Sequence, residues 1–413
     1  MNRRSFLQSL AAVAGAGAVL PRSLGAAQPV TTTQASAAAA VPLPALMRLP
    51  PMARFPQKTD LILITDRPPQ LETPLKYFKT DLTPNDAFFV RWHLSGIPTS
   101  VDLRTFRLSL GGHIERPVSL SLEQLKKDFD PVSLVAVAQC SGNSRGFFEP
   151  RVAGGQWANG AVGNAKWTGV RLRDLLARAG VKAKPVDVAF AGLDRAPMPE
   201  VPPYAKSLPF ARANDGEVMV AYAMNDRPLP MLNGFPLRLV VPGWFATYWV
   251  KSLNEINVLA EKFSGFWMDK AYRIPNNPDA VESPQQLATD TVPITRHTVR
   301  SLIVSPETGA ILKPSKSIQI DGVAFDAGEG IAKVEVSVDH GVSWMTTSLG
   351  EDLGRYSFRR WHAAWKPPAA GRYVIMARAT NLAGETQVAQ PRWNRSGYQR
   401  NVIEQVQVEV PLT

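Results

Sequence analysis

Cysteine is nearly missing from this chain: in 413 residues it occurs once, as Cys140. One thiol excludes a disulfide within the chain, and it excludes covalent attachment of a c-type haem, which needs Cys-x-x-Cys-His. Histidine is scarce as well. His93, His113, His297, His340 and His362 stand apart, without the spacings that build a zinc or iron site. There is no Gly-x-Ser-x-Gly elbow and no Walker or dinucleotide glycine pattern. No apolar run reaches the ~20 residues of a membrane-spanning helix. The net charge of +11 comes without a dense Lys/Arg block, a zinc-finger spacing or an RNP-like aromatic run, so nucleic acid is the weakest partner class. A membrane surface, an acidic protein face or a plain solvated surface remain open.

What is present is an ordinary globular composition, 45% hydrophobic and 20% charged, with length for two or three domains. The 35 prolines and 29 glycines point to many turns rather than long helices. The N-terminus reads Met1-Asn2-Arg3-Arg4-Ser5-Phe6-Leu7 and continues apolar to about Leu20. Paired arginines before a short apolar run look like a twin-arginine export signal, here over about residues 1–36. Small-residue sites at Leu24-Gly25-Ala26 and within Ala37–Ala40 place cleavage between residues 27 and 41. The expected destination is the periplasm. That route carries proteins already folded, often around a cofactor, so it hints at a bound prosthetic group.

Along the chain, Ser121-Leu-Glu-Gln124 is a capping box opening a helix to about Phe129. Val132–Ala138 reads as a buried strand, Leu172–Ala179 as a helix stopped by Gly180, and Arg238–Pro242 as another buried strand. After about Pro284, Ile318–Ile320, Val334–Val338 and Val406–Val410 alternate strictly between apolar and polar. Short alternating strands with turn signals between them predict an antiparallel sandwich. The expectation is therefore an α+β domain over residues 45–285, then an immunoglobulin-like β-sandwich over 286–413.

Cys140 ends the first of those strands and opens the loop Ser141-Gly142-Asn143-Ser144-Arg145-Gly146. A lone cysteine is by composition most often a small buried hydrophobe. Its place argues otherwise, because strand-end loops carry ligands and catalytic groups, and a nearby arginine favours the thiolate. With no Cys/His signature for a hydrolase, a soft thiolate binding a soft transition metal fits better.

Several spaced motifs now add up. Phe88-Phe-Val-Arg91-Trp-His93, Gln139-Cys-Ser-Gly-Asn143, Ala165-Lys-Trp-Thr-Gly-Val170 and Asn233-Gly-Phe-Pro-Leu-Arg238-Leu-Val-Val-Pro-Gly243 resemble successive signatures of the sulfite oxidase family. The run Val334–Trp344 resembles that family's dimerisation domain, and the likeness covers roughly residues 65–410 in order. The resemblance implies one molybdenum–molybdopterin per chain, with Cys140 as the only protein ligand to the metal. It places Phe89, Val90, Arg91, Trp92, His93, Asp194, Asn233, Arg238, Trp249, Val250 and Lys251 against the pterin and its phosphate. It assigns Arg91, Arg145, His93, Trp157 and Tyr272 to the oxyanion pocket, with Arg395 a weaker candidate. The fixed charges of Arg238 and Lys251 suit a phosphate, although by themselves they would read as surface ion pairs. Asn233, Ser252 and Ser144 depart from the family pattern of His, Trp and an Arg-Arg pair.

The implied reaction is oxidation of sulfite to sulfate. With no haem expected on this chain, electrons would pass to a c-type cytochrome, as a stable subunit or a diffusing protein. A heterodimer is the first expectation and a homodimer through the sandwich the second. Two other readings compete: a periplasmic molybdopterin reductase of sulfoxides, which typically lacks the C-terminal sandwich, and an exported immunoglobulin-like binding protein, which leaves the cysteine loop unexplained.

Overall fold

The computed structural model describes residues 51–412, residue 315 excepted. The paired arginines, the expected cleavage region and the expected domain start at residue 45 lie outside the described residues. Among those described, no helix is long and apolar enough to cross a membrane.

Strand greatly outweighs helix. The helices are Leu122–Asp128 and Leu172–Ala179, with single turns at Phe210–Ala213 and Phe266–Asp269. An α+β expectation therefore gives helix too much weight. The physical reason is visible in the sequence, where apolar runs are short and closely punctuated by proline and glycine. The two real helices start and stop as their residues dictate. Ser121 Oγ accepts from Gln124 N at 3.1 Å while Gln124 Oε1 accepts from Ser121 N at 2.8 Å, closing the capping box. Leu172, Leu175, Leu176 and Ala179 recur at helical spacing and are all buried, and Gly180 ends the helix at φ 69°.

Five strands form the sheet that carries the cysteine loop: Val132–Gln139, Val162–Arg171, Met219–Met224, Arg227–Pro228 and Arg238–Val240. The first two pair antiparallel from Val132 opposite Gly169 to Gln139 opposite Val162. Pairing stops there, so Cys140 leaves the sheet at its edge. Arg238–Val240 is shorter than expected because Val241 and Pro242 turn away from the ladder. A second sheet joins Ala205–Pro209, Asp187–Gly192, Leu253–Leu259, Leu108–Gly112 and Val118–Leu120. A third, of four short strands, ends in Val90–Arg91.

The C-terminal part is two sheets, one containing Arg300–Ser305, Ile318–Phe325 and Arg359–Trp365, the other Ile331–Ser337, Gly371–Asn381 and Glu404–Val410. Ile303 and Ile320 from one share an apolar core with Val334, Val336, Ile375 and Val408 from the other. A separate cluster joins Phe78, Val137 and Val162 to Leu302, Val323, Phe325 and Phe358. The cysteine strand is thus packed directly against the first of the C-terminal sheets.

Candidate active site

A cavity opens beside the end of the strand Val132–Gln139. Cys140 and Ser141 line one side, and Phe89, Arg91 and His93 another. Asn233, Arg238, Lys251, Thr247 and Tyr272 complete it. Alternation explains which residues of the first motif arrive there. Phe89, Arg91 and His93 face the cavity, while Val90 and Trp92 point the opposite way into a core with Leu61, Leu71 and Leu232. Trp249 and Val250 are likewise core residues, with Trp249 Nε1 donating to the carbonyls of Val241 and Trp244. Any contact of those four with a ligand in the cavity is left to their backbone.

The floor is rich in buried cations. The bridge between Arg238 and Lys251 sets these two side by side. Arg238 stacks on Trp167 at 5.2 Å and Lys251 sits 4.8 Å over Trp92. Burial pushes Arg238 down to about 9 and Lys251 down to about 7. Lys58, absent from the sequence-based set, supports Asn233 from outside the cavity lining. Its Nζ donates to the carbonyls of Asn85 and Phe88 and to Asn233 Oδ1, and burial pushes it down to about 7. Asn233 is fixed in turn by donating to Phe89 O at 3.1 Å. Asp194 is the buried carboxylate near Lys251, and burial raises its pKa.

Above the floor, His93 Nε2 shares a hydrogen bond with the Tyr272 hydroxyl. The His93 ring lies flat on Tyr204, with centroids 3.7 Å apart. Burial first, then the charges of Arg91, Lys251 and Lys206, hold its pKa well below the ordinary value, so the imidazole is neutral. Burial also raises Tyr272, so its phenol keeps its proton. Lys206, also missed from sequence, donates to Trp267 O at 2.6 Å and lies 4.6 Å over Tyr248 and 5.1 Å over Tyr272.

Arg145 is buried beside the cavity rather than lining it. Its Nε donates to Ser396 O at 3.0 Å and its guanidinium lies 5.2 Å from the Tyr398 ring. Glycine backbones close around it. A Cβ at Gly142, Gly154 or Gly397 would come within 2.8 Å of its side chain. Trp157 is buried in the main core. Arg395 is turned away entirely, exposed and paired with Glu282 at 2.6 Å. Its expected contribution to an oxyanion pocket is corrected on that ground.

The donor set tests what could bind. Among the described residues no three His, Cys, Asp or Glu side chains converge as a metal site. A metal held by the Cys140 sulfur must therefore bring its other donors on an organic ligand. Arg91 Nη1, Arg238 Nε, Ser141 Oγ and Asn143 Nδ2 are buried without a partner in the chain. Unpaired buried cations and donors are costly, and an anionic, acceptor-rich ligand removes that cost. A thiolate-ligated metal on a phosphate-bearing cofactor fits these residues.

Comparison with known proteins agrees with that chemistry. Residues 94–267 match the oxidoreductase molybdopterin binding domain, and residues 291–411 match the Mo-co oxidoreductase dimerisation domain. Fold and site thus define a molybdopterin-binding oxidoreductase. The mitochondrial sulfite oxidase of Mus musculus is 34% identical over 352 residues, covering 80% of this chain and 62% of its own length. Sulfite oxidase of Arabidopsis thaliana is 33% identical over 286 residues, covering 66% of this chain and 72% of its own. The chain belongs to the sulfite oxidase family. It spans under two thirds of the mouse enzyme's length. Among solved structures, the sulfane dehydrogenase SoxCD of Paracoccus pantotrophus superimposes with a TM-score of 0.72, covering 92% of this chain and 96% of that one at 22% identity. It shares the fold.

Proposed function

We propose that this chain oxidises sulfite to sulfate at a molybdenum–molybdopterin centre. The observation that carries the reading is one soft donor, Cys140, opening onto a cavity with a cationic floor and a neutral His93–Tyr272 pair. Cys140 would be the single protein ligand to the metal. Arg238 and Lys251 would hold the cofactor phosphate, with Asn233, itself fixed by Lys58, and the backbone of residues 89–93 against the pterin. When bound, the cofactor supplies the two-electron acceptor and the oxygen-transfer chemistry.

The remaining residues bind and orient. Arg91, with Nη1 free of other bonds, pairs with a sulfite oxygen, and Arg145 adds positive charge from behind. Neutral His93 fixes the Tyr272 hydroxyl at the cavity wall, and with its ring proton on Nε2 it would leave that hydroxyl free to donate to a bound oxyanion. Conversion of sulfite and water to sulfate releases two protons and two electrons. A c-type cytochrome is the acceptor in this reading, first as a partner subunit, second as a diffusing protein. The C-terminal sheets, read as an immunoglobulin-like sandwich over residues 286–413, would serve a homodimer if no cytochrome subunit is present. The export motif at Arg3-Arg4 supports a periplasmic location.

The test is metal analysis and sulfite-dependent reduction of cytochrome c with purified protein, beside Cys140→Ser. One molybdenum per chain and turnover are expected, with turnover abolished in the variant, since a hydroxyl is a poorer donor to this metal. Wild-type protein that binds no molybdenum, or a variant with near-normal turnover, overturns the reading. Purification from the native host, followed by haem absorbance co-eluting with molybdenum, decides between subunit and diffusing carrier.

A further inference from the structure

One buried ion pair connects the C-terminal sheets to the cysteine loop. Arg300 opens the strand Arg300–Ser305 and is 1% exposed; Glu404 opens Glu404–Val410 and is 8% exposed. Arg300 Nη2 donates to Glu404 Oε1 at 2.8 Å. The same nitrogen reaches Ser144 Oγ at 2.6 Å and Asn159 Oδ1 at 2.9 Å. Ser144 Oγ donates to Asn159 Oδ1 at 2.5 Å, and Asn159 Nδ2 donates to Glu404 Oε2 at 3.0 Å. Four side chains from distant segments close a ring of hydrogen bonds.

The loop side of that ring is where the chain is strained. Ser144 has φ 68°, a left-handed conformation that a residue with a Cβ adopts only where its surroundings hold it. It lies between Cys140, four residues earlier, and Arg145, the next residue. The loop backbone is pinned on the same side, with Ser144 N and Gly146 N donating to the carbonyls of Ala158 and Trp157. Arg145 itself leans on the C-terminal segment through Ser396 and Tyr398, and Tyr398 stacks parallel on Tyr272 at 5.7 Å.

Stability is a poor account of the pair. Arg300 Nε and Nη1 are buried without partners, and a half-satisfied buried guanidinium is less favourable than apolar packing of equal volume. What such a pair supplies is a fixed direction. We propose that Arg300 and Glu404 are positioning residues of the site: through Ser144 and Asn159 they hold the loop 140–145, and with it the Cys140 sulfur and the Arg145 guanidinium. The C-terminal sheets then form part of the active-site scaffold, independent of any role in dimerisation. The part of this that concerns substrate rests on the sulfite reading above.

The experiment is hydrogen–deuterium exchange and sulfite kinetics on the full chain with its cofactor, comparing wild type with Arg300→Met, Arg300→Lys and Glu404→Gln. In Arg300→Met, the peptide covering residues 140–147 should exchange about tenfold faster, with Ile331–Ser337 and Gly371–Asn381 unchanged. KM for sulfite should rise about tenfold with a smaller change in kcat, because the held anion contact is what loosens. Arg300→Lys should recover part of both effects. Glu404→Gln, of the same shape, should show the same pattern more weakly and keeps the test open if Arg300→Met does not fold. Unchanged exchange at 140–147 overturns the proposal, as does an increase spread evenly over the C-terminal strands. A loosened loop with unaltered sulfite kinetics overturns it too. If wild type turns over no sulfite at all, the substrate reading fails separately and the exchange result alone decides the positioning role.

Discussion

Arg91 reaches the cavity from a two-residue strand, with Nη1 unpartnered and a neutral histidine two residues on. A cation so placed meets an anionic substrate at little cost in reorganisation. Arg91→Gln should lower kcat/KM for sulfite by roughly 2–4 kcal/mol of transition-state stabilisation, which steady-state kinetics will read directly. Unchanged kcat/KM would mean that Arg91 does not touch the substrate. Lys206 makes a different prediction. Burial lowers it to about 7, against an ordinary value of 10.5, so between those values the unfolded chain binds the extra proton and the folded one does not. Stability therefore rises with pH across that window, by about 1 kcal/mol per unit, and the dependence vanishes at either end. Lys58 and Lys251, also held near 7, add slopes of the same sign, so thermal unfolding from pH 7 to 10 should rise more steeply in wild type than in Lys206→Met by about that amount. Equal slopes would mean that Lys206 keeps its proton in the fold.

At the scale of elements, alternation and capping carry most of the explanation. The two-residue period of the chain around Val90–Arg91 divides one motif into cavity residues and core residues, a division invisible to motif matching. The helix Leu122–Asp128 lies outside the cavity lining, and its capping box is intact. Ser121→Ala should cost about 1 kcal/mol of stability and leave sulfite kinetics as they are. A fall in kcat with an unaltered melting temperature would contradict that separation.

For the whole molecule, the shared cluster of Val137, Val162, Leu302, Val323 and Phe325 means that neither part buries its apolar surface alone. The cysteine strand also donates its Val137 amide to Tyr356 O across the same boundary. Calorimetry of the full chain should give one cooperative transition, in which catalytic and C-terminal parts melt together. Two resolved transitions would show that the contact is weaker than its packing implies.

Much of the site was legible in the residues. Cys140, Arg91, His93, Asn233 and Arg238 stand in recognisable local patterns, with Lys251 and Tyr272 added by the family resemblance, and local pattern survives in sequence because strand ends and turns are set by near neighbours. The helix limits at Ser121 and Gly180 were legible for the same reason. Lys58 and Lys206 were not, since a lysine in sequence reads as a solvated charge and only burial makes it otherwise. Arg395 was a weaker candidate for an anion, and Glu282, 113 residues away, pairs with it. The clamp from Arg300 to Ser144 spans 156 residues and has no local signature. Chemistry at one loop was thus written in the sequence, while burial, pairing and the reach of the C-terminal sheets were decided only when distant segments packed together.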